Sequence, residues 1–171
     1  SGSTAVIRAI NTFNGDGVIH LSTTMTVNGT LDVGPGVAFK MENLSSVNLY
    51  GALAIRGSGH DPVVFTTIHD DVAGGDTNVN GAASVPSNGN WVQLWIGPAA
   101  TGFLDHVRVA YSGYNGNNAV ECNGAGVSLN AVRVDRSGGR GFQIANSAGT
   151  TLDHLVAWNC SGEISAICPL W

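Results

Sequence analysis

Three stretches decide the fold. Leu104-Asp105-His106-Val107-Arg108-Val109-Ala110-Tyr111-Ser112-Gly113 is followed by Leu129-Asn130-Ala131-Val132-Arg133-Val134-Asp135-Arg136-Ser137-Gly138. Then comes Leu152-Asp153-His154-Leu155-Val156-Ala157-Trp158-Asn159-Cys160-Ser161-Gly162. The first two copies align without a gap, and the third carries one extra residue before its Ser-Gly. Their starts lie 25 and 23 residues apart. A short apolar unit that recurs at this period cannot bury its own face, so successive copies must stack as coils of a solenoid. Stacking puts Leu104 on Leu129 on Leu152 and Val109 on Val134 on Ala157. It also puts Asp105, Asn130 and Asp153 in one polar column.

Outward from the repeat, the chain reads as all-β. Short runs rich in β-branched residues, among them Met25–Val27, Val47–Tyr50, Val63–Thr66, Val92–Ile96 and Phe142–Ile144, alternate with Gly, Asn and Ser clusters. Six Asn-Gly pairs mark tight corners, because both residues tolerate positive φ. The 171 residues include 24 Gly, 43 % are hydrophobic and only 11 % are charged, with one lysine, Lys40. This composition excludes a coiled coil and a disordered chain. No apolar run approaches the length of a membrane span. Seven Lys+Arg against twelve Asp+Glu, with no basic stripe, argue against a nucleic-acid partner.

The organisation expected is one domain. Ser1-Gly2-Ser3 reads as a scar of tag removal, and residues 1–22 as that scar with an N-terminal cap. Residues 23–171 then form a parallel β-helix of about six coils of roughly 23 residues, with one long loop inserted at 69–90. The apolar end Pro169-Leu170-Trp171 suggests a piece that abuts a cap or partner. Cys160 and Cys168 stand eight apart, a spacing open to a disulfide, with Cys122 left over as a buried thiol.

Residues 26 to about 165 resemble the right-handed parallel β-helix of the pectate-lyase-like class. More narrowly, 30–113 resembles the β-helix repeats of large secreted or cell-surface bacterial proteins. The resemblance is carried by Gly29-Thr30-Leu31, Pro35-Gly36-Val37 with Phe39-Lys40, and Gly51-Ala52-Leu53. It continues through Asp61-Pro62-Val63-Val64-Phe65-Thr66, the loop Asp70-Asp71…Gly74-Gly75-Asp76-Thr77-Asn78, and Trp91. It implies the all-β, right-handed solenoid and an extracellular or cell-surface location. Fold likeness of this kind does not choose a function.

Three constellations carry candidate chemistry. Asp76-Thr77-Asn78-Val79-Asn80-Gly81 fits the opening of a calcium loop, with alternate side-chain oxygens and a glycine for the turn. Asp70 and Asp71 add carboxylates. The twelfth position is Ser87, not Glu, so this is no EF-hand. The expected cofactor is a structural Ca²⁺ held by Asp70, Asp71, Asp76, Asn78 and Asn80, against the plainer reading of Asp and Asn as self-bonded turn residues. Second, alternation in Trp91-Val92-Gln93-Leu94-Trp95-Ile96 puts Val92, Leu94 and Ile96 inward and Trp91, Gln93 and Trp95 outward. With Tyr111 and Tyr114, these form an expected aromatic patch for sugar rings or a partner surface. Third, Asp105-His106 and Asp153-His154 recur two coils apart. The middle copy, Asn130-Ala131, makes this a corner column rather than an acid–base pair, so no catalytic residues are assigned. Arg108 and Arg133 fall at equivalent outward positions in adjacent coils that could contact an acidic sugar, with no carboxylate cluster expected on the same strands and Asp135 expected to pair with its neighbour Arg136.

The function expected is therefore a non-catalytic adhesion module that recognises a surface glycan or protein, within a larger surface or fibre protein and open to trimer formation through a sheet face. The alternatives are a carbohydrate-active lyase or glycosidase and a structural spacer.

Overall fold

The computed structural model describes residues 4–7, 17–123, 126–145 and 149–166. Its strands are β1 (Thr4–Ile7), β2 (Val18–Leu21), β3 (Met25–Val27), β4 (Thr30–Val33), β5 (Ala38–Met41), β6 (Val47–Leu49), β7 (Ala52–Arg56) and β8 (Val63–Thr67). They continue with β9 (Leu94–Ile96), β10 (Thr101–Ala110), β11 (Val120–Cys122), β12 (Val127–Asp135), β13 (Arg140–Ile144), β14 (Thr151–Asp153), β15 (Val156–Trp158) and β16 (Gly162–Ala166). A single 3₁₀ turn, Tyr114–Gly116, is the one helical element among the described residues.

Every strand pairing is parallel, and the chain visits three ladders in rotation. The first runs β1, β4, β7, then the leading halves of β10 and β12, then β14. The second runs β2, β5, β8, then the trailing halves of β10 and β12, then β15. The third runs β3, β6, β9, β11, β13, β16. The first two ladders join into one sheet because β10 and β12 pass through both. Each bends at one residue: His106 and Ala131 take left-handed φ of 49° and 50°, and His154 takes 50° at the matching place after β14.

These bends are costly for non-glycine residues, and the polar column beside them supplies the compensation. Asn130 Nδ2–H donates to Asp105 Oδ1 at 2.7 Å, and His106 Nδ1 meets the same carboxylate oxygen at 2.8 Å. His154 Nδ1 lies 2.7 Å from Asp153 Oδ1. The Asp-His pairs are thus corner fittings, each histidine held by its own neighbour.

The core is built from register-matched columns. Val33, Ile55, Leu104, Leu129 and Leu152 follow one another down the first ladder. Phe39 and Phe65 stack in the second with ring centroids 4.7 Å apart, continued by Val109, Val134 and Ala157. Val27, Leu49, Ile96, Cys122 and Ile144 form a column of the third. Cys122 is fully buried in that column. Apolar side chains one row apart keep each other dry, which is why strands of only three residues suffice here.

Some expectations fall outside the described residues. Most of the expected N-terminal cap does, as do Cys168 and Pro169-Leu170-Trp171. Strand boundaries shift as well. The strand expected at Val92–Ile96 begins at Leu94. The runs expected as Val107–Val109 and Val132–Val134 are the trailing halves of β10 and β12.

Candidate functional site

The third ladder alternates strictly. Val47, Leu49, Leu94, Ile96, Val120, Cys122, Phe142 and Ile144 are buried, and the residue between each pair faces outward. In register, those outward residues are Asn48, Trp95, Glu121 and Gln143, with Thr26 of β3 in the row before Asn48. Parallel rows lie about 4.8 Å apart, so they form one continuous column on a flat face.

Trp95 is anchored in this column. Its ring makes an edge contact with Tyr50, at 4.9 Å between centroids and 62° between planes. It also lies over Gly97, where a Cβ would fall 2.6 Å from Cζ3. Glu121 and Gln143 are coupled by amides: Asn118 Nδ2–H donates to Glu121 Oε2 at 3.1 Å and to Gln143 Oε1 at 2.9 Å. Asn123 Nδ2–H donates to Glu121 Oε1 at 2.9 Å. The result is a half-buried aromatic ring beside a carboxylate and several amide groups. Such a set suits a ligand with an apolar ring face and hydroxyl edges. It holds one carboxylate, whereas hydrolysis of a glycosidic bond by general acid–base chemistry uses two.

The five residues expected as one aromatic patch separate. Only Trp95 lies in the outward column. Trp91 does not point outward: it is fully buried, and Nε1–H donates to the Ala110 carbonyl at 2.7 Å. Alternation fails there because residues 91–93 precede the strand and need not follow the pleat. Gln93 is half-buried, with Oε1 enclosed and lacking a hydrogen-bond partner. Tyr111, 7 % exposed and at φ 59°, lies in the corner after β10 under the Arg136 guanidinium, 5.7 Å from its ring centroid. Tyr114, 44 % exposed, borders a separate pocket with Asn43, Leu44, Gly89 and Asn90. Asn48, Glu121, Gln143 and Asn118 were not singled out from the sequence. For the first three the signal was a polar residue flanked by two apolar ones, in Val47-Asn48-Leu49, Val120-Glu121-Cys122 and Phe142-Gln143-Ile144; Asn118 carries no such signal.

The long loop spends part of its oxygens internally. Asp76 Oδ1 accepts the Asn80 N–H at 3.2 Å, and Oδ2 accepts the Gly81 N–H at 2.8 Å. Asn78 and Asn80 both turn their amide nitrogens to Ser84 Oγ, at 3.1 and 2.9 Å. Asp70 is buried, accepting from Thr66 Oγ1 at 2.8 Å and from the Val72 N–H at 3.3 Å. The fully buried Lys40 donates through Nζ to the Gly75 carbonyl. Burial pushes the Lys40 pKa down, and Asp70, Asp71 and Asp76 pull it back up. The Lys40 ammonium thus lies within the electrostatic reach of these carboxylates. Among the described residues no three His, Cys, Asp or Glu side chains are grouped to hold a metal ion. Asp76 thus has the bonding of a turn residue, while Asp71 Oδ1 and Asn78 Oδ1 are enclosed and have no hydrogen-bond partner among the described residues. Cys160 is half-buried, and burial raises its thiol pKa.

Asp135 differs from expectation. Its carboxylate pairs with Arg108 and Arg133 rather than with Arg136. Arg136 lies instead between the rings of Tyr111 and Trp158, 5.7 Å from each centroid.

No family model, curated protein or solved structure matches this chain.

Proposed function

We propose that the chain is a non-catalytic glycan-binding module of an extracellular or cell-surface protein, wound as a right-handed parallel β-helix. Rotation of the chain through three parallel ladders supports the winding. The outward column Asn48–Trp95–Glu121–Gln143 carries the functional reading. An aromatic ring fixed against Tyr50 loses little freedom on stacking with a sugar ring, and the amide-held Glu121 and Gln143 are pre-positioned for hydroxyl groups. The ligand in this reading is a saccharide chain running along the column, one ring against Trp95 and its neighbour beside Glu121.

The test is a glycan array screened with the wild-type chain and two variants, with sizing of the recovered glycan. Wild type is expected to retain an intact glycan. Trp95→Ala is expected to weaken binding at least about tenfold, the scale of one aromatic contact. Glu121→Gln is expected to change which glycans bind while leaving the circular dichroism spectrum unaltered. Binding indifferent to both variants would overturn the site. Recovery of shortened glycan would overturn the non-catalytic reading.

A further inference from the structure

The second ladder carries a groove of its own, on a different ladder from the Trp95 column. Its outward residues run Val18, Ala38, Val64, Arg108, Arg133 and Val156. The long loop covers the first part: a Cβ at Gly74 would fall 2.4 Å from Val18 Cγ2 and 3.5 Å from Ala38 Cβ. Where the loop ends its cover, the row opens into a groove of ≈ 530 Å³ whose lining includes Pro62, Val72, His106, Arg108 and Arg133. That volume falls in the range of small-molecule sites. Val72, 92 % exposed, stands on the rim with no apolar partner to account for it.

The two arginines are held in an unusual way. Asp135, its side chain 6 % exposed, accepts Arg108 Nε–H through Oδ2 at 2.8 Å and Arg133 Nε–H through Oδ1 at 2.5 Å. One buried carboxylate thus fixes two guanidiniums by their inner nitrogens. Among the described residues, neither is hydrogen-bonded through its outer nitrogens. Arg108 Nη1 has Asp70 Oδ2 at 3.9 Å, beyond hydrogen-bond reach, and that carboxylate already serves Thr66 and Val72. Among the described residues the outer nitrogens of Arg133 have no hydrogen-bond partner, and this side chain is 55 % exposed. Like charges directly opposite each other in a ladder repel. Asp135 between the two guanidiniums, with Asp70 in ion-pair range of Arg108, offsets much of that repulsion, and the outer edge of each guanidinium fork matches a planar or tetrahedral oxyanion.

We propose that this groove binds an organic oxyanion, a carboxylate or a sulfate. Arg108 and Arg133 take its oxygens, and Val72 with Pro62 receives its apolar part. Asp135 is a positioning residue that orders both guanidiniums before the ligand arrives, so little side-chain entropy is lost on binding. The site does not depend on the Trp95 reading.

The test uses arginine Nε–Hε resonances of the full chain, titrated at constant ionic strength with hexanoate, hexyl sulfate and chloride. The Arg108 and Arg133 signals are expected to move saturably with the first two and not with chloride, while Arg56 stays still. The relative half-saturation points of hexanoate and hexyl sulfate assign the preferred oxyanion. Arg133→Gln, at an exposed position that leaves the core intact, is expected to raise the half-saturation point at least about tenfold. Trp95→Ala is expected to leave it unchanged. Movement that follows chloride equally, appears equally at Arg56, or persists with unchanged affinity in Arg133→Gln would overturn the proposal. So would the absence of any movement.

Discussion

The wall made by β10 and β12 and the loop at 69–90 are built on opposite plans. In the wall polar side chains reach across rows as well as to near neighbours, 25 residues along the chain for Asn130 with Asp105 and 27 for Arg108 with Asp135. In the loop Asp76 bonds residues four and five positions on, and Asn78 reaches six. The wall is a repeat whose copies satisfy one another. The loop is a set of locally bonded turns, with Asp71 Oδ1 and Asn78 Oδ1 left enclosed and unbonded among the described residues, tied down near its ends by Lys40 at Gly75 and by Asn88 at the Asn159 carbonyl, 3.4 Å away. Aspartate and asparagine occur in both regions, so their identity alone says little about role. Partner distance along the chain separates a column from a turn.

That contrast breaks most visibly in the wall. Leu129 is fully buried between Leu104 and Leu152. Leu129→Ala is expected to cost about 3 kcal/mol by chemical denaturation, because rigid neighbouring rows limit collapse around the cavity. A loss below about 1 kcal/mol would show that the rows relax freely and that the columns are not the source of stability.

A smaller effect is expected where loop meets wall. Lys40→Met removes the ammonium among Asp70, Asp71 and Asp76 and frees Gly75. The stability loss is expected to be about 1–2 kcal/mol, below that of a wholly buried pair because Asp76 is exposed. Limited proteolysis should then cut between residues 72 and 85 well before the wall is attacked. Simultaneous loss of both regions would mean that the loop is part of the cooperative core rather than a strap on it.

The smallest effect belongs to the loop tip. Asp76→Ala deletes two local bonds at an exposed turn and is expected to cost less than about 1 kcal/mol. Melting in calcium and in chelator is expected to agree within about 1 °C, since a ligand that does not bind the native state cannot shift its stability. A rise of several degrees in calcium, abolished by Asp76→Ala, would reinstate the calcium loop and reduce the contrast between the regions.

Much of the wall was legible in the sequence because column formation is a matter of spacing. Leu104, Leu129 and Leu152 align in the chain as they do in the ladder, and the Asp105–Asn130–Asp153 column followed from the same alignment. Trp91 was misread because alternation applies only inside a strand, and the strand starts three residues later. Tyr111 was misread because a left-handed corner turned it beneath Arg136.

The sequence by itself determined that this is an all-β chain of short, stacked, parallel rows, since period, alternation and Asn-Gly corners are local or repeating properties. Only the tertiary structure decided which outward residues share a face. It placed Trp95 with Asn48 and Glu121, put Arg108 and Arg133 on one buried Asp135, and gave Lys40 to the loop. Those meetings depend on which ladder each row joins and on where one long loop folds back. Both are set by contacts between residues tens of positions apart, which leave no period in the chain.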